Sequence, residues 1–197
     1  MNAALISAAM VLAMLAVFYL RFEKRTSRSR RLVIIAVMTA LSVVGRFIFA
    51  AVPAFKPITA ITIIAAIWLG PECGFMVGSL SILISNFYFG QGPWTPFQMA
   101  AFGLLGAAAA FLAKPLKSSR LALSAYGAFA GLAYSCIMDI WTVLWYSDGF
   151  TWSLYWAAVV TAVPYIIGYA ASNIIFLLLL GKPFGEKLER VILKYGI

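Results

Sequence analysis

The chain has 197 residues, 64% of them hydrophobic and 11% charged, with a mean hydropathy of +0.98. Soluble domains carry about 25% charged residues, and disordered chains pair low hydrophobicity with high net charge, so both classes are excluded. The formal net charge is +9, but its cations cluster between apolar segments, which points to membrane topology rather than nucleic acid.

Residues 2–20 form the first apolar segment. They lack a positive n-region and a small-residue cleavage site, so they are expected to persist as a helix. A basic stretch follows, with Arg21, Lys24, Arg25, Arg28, Arg30 and Arg31 opposed by Glu23. The second segment, 32–52, ends at Pro53 and Pro57. The third, 58–69, is short for a hydrocarbon layer that needs about 20 helical residues. It must tilt into protein, extend at its ends or stop short of spanning. Gly70-Pro71 breaks the chain there, and proline suits the first turn of a following helix.

The fourth segment is 72–89. Residues 90–96 read as a loop by their glycine and proline content. The fifth segment, 97–113, is followed by Lys114, Lys117 and Arg120. The sixth is 121–146, with a turn at 147–149. The seventh, 152–180, is interrupted by Pro164 and followed by a tail carrying Lys182, Lys187, Arg190 and Lys194. These runs are far longer than the roughly 10-residue strands of a barrel, so the fold class is all-α integral membrane. With seven spans, all three basic regions fall on one side and Lys56 is the lone cation of the other loops. The expected topology therefore has the N-terminus outside and the C-terminus in the cytoplasm.

The chain contains no histidine. That removes the commonest general base and metal ligand, and Cys73 and Cys136 have no metal-like spacing. No metal site and no catalytic residues are expected. No P-loop pattern is present, so the chain itself is not expected to use ATP. A membrane enzyme would need grouped titratable residues, and the apolar segments offer only Arg46, Asp139 and Glu72.

Polar side chains within apolar helices are informative because each is costly there. Arg46 and Asp139 each lie seven residues inside the outer end of a segment, about 10 Å deep at 1.5 Å per residue. Equal depth allows a structural pair or a shared ligand cavity. Aromatic residues concentrate on the outer side: Trp94, Trp141, Tyr146, Trp152 and Tyr155 lie there, against Trp68 near the inner side. An interfacial belt would populate both sides, so an aromatic-lined outer pocket is expected, closed by the Trp94 loop and the Phe55–Lys56 loop. Asn86 and Gln98 are candidate hydrogen-bonding groups, with helix capping and turn chemistry as the alternative. Ala36 and Ala40 form an A-x-x-x-A face of the kind that lets helices approach closely.

Ala36-Val37-Met38-Thr39-Ala40 and the run from Ser85 through Gly92-Pro93-Trp94-Thr95-Pro96-Phe97-Gln98-Met99 resemble the substrate-binding S components of energy-coupling factor (ECF) vitamin importers. The resemblance covers about residue 31 to the C-terminus. It implies a six-helix S-component-like bundle at 31–197, preceded by one extra transmembrane helix and basic loop at 1–30. It further implies a multi-pass subunit of a bacterial cell membrane that binds a vitamin from outside. Such a subunit docks on a membrane coupling subunit carried by two cytoplasmic ATPases, which alone use ATP. Docking would fall on Ala36 and Ala40, and the extra helix could cover that face. The site would draw on Arg46, Phe55, Lys56, Asn86, Trp94, Gln98, Asp139, Trp141, Tyr146, Trp152 and Tyr155. The chain most resembles the cobalamin-type S components. Cobalamin or a related corrinoid is the expected ligand, with pantothenate, riboflavin or a queuosine precursor as alternatives. A self-contained small-molecule carrier is the competing reading.

Overall fold

A computed structural model describes residues 3–23, 28–147 and 149–196. Lys24, Arg25 and Asp148 of the basic stretch and turn discussed above lie outside them. Eight helices follow in chain order among the described residues: α1 (Ala3–Glu23), α2 (Arg28–Ile48), α3 (Ile58–Leu69), α4 (Pro71–Phe89), α5 (Thr95–Phe111), α6 (Ala113–Ser118), α7 (Arg120–Tyr146) and α8 (Trp152–Tyr195). No strand occurs among them.

The short α3 is the centre of the bundle. It is apolar all round, and 11 of its 12 residues are buried, as expected of a helix enclosed by others. Helices α2, α4, α5 and α8 surround it. At about 18 Å it is shorter than the hydrocarbon layer, and its neighbours cover both of its ends. Small residues let this core close. A Cβ on Gly78 would stand 2.8 Å from the Phe102 backbone, and one on Gly106 would stand 2.9 Å from the Gly74 carbonyl oxygen. Helices α4 and α5 therefore meet backbone to backbone.

Helix α1 packs on α4, α5 and α7. Phe18 stacks on Phe75 with ring centroids 3.9 Å apart, and Tyr19 Oη lies 3.0 Å from Ser79 Oγ. This placement leaves the α2 stripe open: Ala36 and Ala40 are both exposed. They line an apolar groove of about 410 Å³ with Ile35, Thr39, Leu80 and Ile84.

Three boundaries differ from the sequence reading. Helix α2 ends at Ile48 rather than at 52, so residues 49–52 join the following loop and Arg46 lies in the last turn instead of seven residues inside the end. The helix of the seventh segment continues unbroken through Pro164 and Pro183 to Tyr195, because leucines and glycines of its later part still pack on the bundle. The stretch after α5 folds as the short α6 rather than as loop.

The three basic regions meet at one end of the bundle. Arg30 donates to the Tyr195 carbonyl. Lys117 sits 4.9 Å from the Trp68 ring centroid, and the Trp68 indole donates to Glu189 Oε1 at 3.0 Å.

Candidate functional site

At the opposite end, six helices and one loop line a polar cavity of about 220 Å³. Its parts come from helix ends that share that level: Arg46 in the last turn of α2, Ile58 and Thr59 in the first turn of α3, Ile82 in α4, Gln98 in the first turn of α5. Phe102 of α5, Tyr134 of α7, and Tyr169 and Asn173 of α8 complete the wall. Ala54 and Lys56 of the 49–57 loop close it.

Arg46 is held by its neighbours. Its Nη1 donates to Ser85 Oγ and, at 2.8 Å, to Asn86 Oδ1. The guanidinium also lies 4.5 Å from the Phe89 ring centroid, within cation–π range. Asn86 is buried and passes the network on, donating to Gln98 Oε1 at 2.9 Å and to Thr95 Oγ1 at 3.1 Å. The Gln98 amide reaches the Tyr134 hydroxyl at 3.3 Å. A polar chain thus runs from α2 through α4 and α5 to α7, and it fixes the cavity wall.

The loop is pinned on both sides. The Lys56 N–H donates to Ser172 Oγ at 2.8 Å, and that hydroxyl donates back to the Lys56 carbonyl at 3.0 Å. Phe49 and Phe55 pack on Phe176 of α8 with centroids 5.1 and 5.0 Å away. Ala54 holds a φ of 57°, a left-handed conformation unfavourable for a residue with a Cβ. Lys56 Nζ donates to Val52 O at 2.9 Å. Burial and, secondarily, the charge of Arg46 hold the Lys56 ammonium below the usual lysine range.

Of the residues singled out from sequence, Arg46, Lys56 and Gln98 line the cavity and Asn86 stands directly behind it. Phe55 supports the loop. Arg46 has no bond to Asp139: its partners are Ser85, Asn86 and Phe89, and Asp139 does not line the cavity. Asp139 lies five residues after Tyr134, about 140° round the helix from it, and so turns to another face. Trp94 and Trp141 pack on each other at 6.2 Å, and Trp141 is buried against Phe97 as well. Tyr146 and Trp152 are 75% and 66% exposed. Trp152 and Tyr155 form a cluster with Phe150 near the tip of the α7–α8 hairpin. Trp152 is 17 residues, or about 25 Å of helix, from Tyr169. Much of the aromatic surplus is thus hairpin, not pocket. Thr59, Phe102, Tyr134, Tyr169 and Asn173 also line the cavity and were not singled out from the sequence. The adjacent Ser172 and Asn173 inside the apolar run of α8 were the available signal.

A family model described as ECF transporter, substrate-specific component, matches residues 30–184. The chain belongs to that family. It is a substrate-specific membrane subunit of an ECF importer, a transport subunit that works with membrane and ATPase partners. The match begins after α1, so the first helix lies outside the part shared with the family. Comparison with curated proteins and with solved structures returned no match. In this substrate-specific component the cavity under the 49–57 loop is the candidate site, since it is concave, carries several polar groups and is built from several helices.

Proposed function

We propose that this chain captures a vitamin-class micronutrient from outside the cell in the cavity beneath the 49–57 loop and delivers it to its coupling subunit. The observation that carries the reading is a hydrogen-bonded cation, Arg46, lining a concave cavity within a bundle of this family. The clustering of basic residues at the opposite end supports an outside N-terminus and cytoplasmic C-terminus. Docking is assigned to Ala36 and Ala40, whose exposure beside an apolar groove supports that role.

Cavity size bears on the ligand. About 220 Å³ is below the ~300–1,000 Å³ of sites that hold drug-sized molecules, and a corrinoid is larger still. This favours a compact micronutrient over cobalamin, which would require the 49–57 loop to lift away from Ser172 and Phe176.

The test is mass spectrometry of small molecules extracted from the purified chain, followed by uptake in proteoliposomes. Uptake of the extracted compound is expected only with the coupling subunit, both ATPases and ATP. Uptake by the chain alone would make it a self-contained carrier. A stoichiometric corrinoid would restore cobalamin.

A further inference from the structure

We infer that the ligand is a small organic carboxylate, held by its anionic group between Arg46 and Lys56. The inference rests on the cavity being the transport site and narrows what that site takes.

Two cationic side chains line one small cavity, and no carboxylate lines it among the described residues. The remaining polar wall is neutral: Thr59, Gln98, Tyr134, Tyr169 and Asn173. The groups that hold Arg46 are neutral too. Ser85 and Asn86 both accept from Nη1, and Phe89 offers a ring face. These contacts orient the guanidinium without cancelling its charge. Among the described residues nothing bonds its Nη2 or Nε, so one edge of the fork stays available for a planar acceptor.

A cation inside a membrane bundle normally pairs with an opposite charge or with backbone carbonyls. Here a second cation, Lys56 of the loop, lines the same cavity as Arg46, and like charges that share one cavity repel. Burial first, and the charge of Arg46 second, hold the Lys56 ammonium below the usual lysine range. An anion between them removes the repulsion and supplies the missing charge. A neutral ligand would leave the Arg46 charge, which is held by neutral groups alone, without a counter-ion. The neutral donors and the Phe102, Tyr134 and Tyr169 rings then suit a short body with hydroxyl or amide groups.

The experiment measures thermal stabilisation and affinity of the full chain in mild detergent. The probes are pantothenate and other small vitamin-class carboxylates, the matching neutral alcohols or amides such as pantothenol, and riboflavin and cobalamin. At least one carboxylate is expected to stabilise the chain while its neutral counterpart does not. Its affinity should fall about tenfold to a hundredfold in both Arg46→Gln and Lys56→Gln, the scale of a lost charge-assisted hydrogen bond. Lys56 sits in a loop, so its variant stays informative if Arg46→Gln misfolds. Equal binding of a neutral counterpart, or binding of riboflavin or cobalamin in place of every carboxylate, would overturn the anion inference and leave the transport reading standing. Stabilisation by no probe, together with no uptake beside the partner subunits, would overturn both.

Discussion

Arg46 of α2 donates to the Asn86 side-chain oxygen of α4 at 2.8 Å, and Asn86 is itself buried and bonded onward to α5. The charge on the cavity wall is therefore positioned by a neutral acceptor. Replacing Asn86 by Asp keeps the shape and supplies a carboxylate in contact with Arg46. Ligand affinity of Asn86→Asp should drop at least about tenfold, because an internal anion now occupies the cation's charge. Titration calorimetry checks this, and unchanged affinity would remove Arg46 from the binding role.

Ala36 and Ala40 remain exposed because α1 packs on another side of the bundle. Leucine at both positions should abolish uptake by the assembled importer and leave ligand affinity within about twofold. The added side chains hold apart a partner helix that needs close approach. Co-purification with the coupling subunit and ligand binding, measured on the same variant, separate the two effects; parallel loss of both would count against docking there.

Gly78 faces the Phe102 backbone, and a new Cβ would stand 2.8 Å from it. Gly78→Val is expected to destabilise the bundle by about 1–3 kcal/mol or more, since a backbone cannot move aside as a side-chain tip can. A lower melting temperature in detergent is the readout.

Trp94 packs on Trp141 and Gly92 and does not line the cavity. Trp94→Ala should lower stability by roughly 2–4 kcal/mol through lost aromatic burial and change ligand affinity by less than about threefold. A loss of affinity without loss of stability would return Trp94 to the site.

Lys56 carries the pH dependence. Burial and the charge of Arg46 lower its pKa below the ordinary 10.5. Between the lowered folded value and 10.5 the unfolded chain holds more protons, so this residue makes stability rise with pH in that window. Binding of a carboxylate runs the other way: it weakens as pH rises through the lowered pKa, because the loop cation is lost. Affinity measured from neutral pH upward should show this decline, and Lys56→Gln should flatten it.

Much of the arrangement was readable in the chain. Apolar runs of spanning length dictated helices, because a bilayer leaves backbone groups no other partner. Three basic clusters fixed which ends lie together. Arg46 announced itself because a cation in an apolar helix needs a reason, and Asn86 and Gln98 stood out as polar groups beside the Trp94 loop. The same reasoning also raised Asp139, and there it ran out: depth along a helix follows from residue count, but the face a side chain takes depends on how each helix is rotated by packing. Tyr134 and Tyr169 were invisible for that reason, being two aromatics among many. The aromatic surplus at the end away from the basic clusters was real in composition, yet much of it belongs to the α7–α8 hairpin tip. Composition and spacing are enough for the fold class and for the gathering of charge at one end, and they mark Arg46 as a candidate. Which residues share the cavity, how small it is and that α1 leaves Ala36 and Ala40 free follow from close packing of small residues between helices distant in the chain, and no local pattern records that packing.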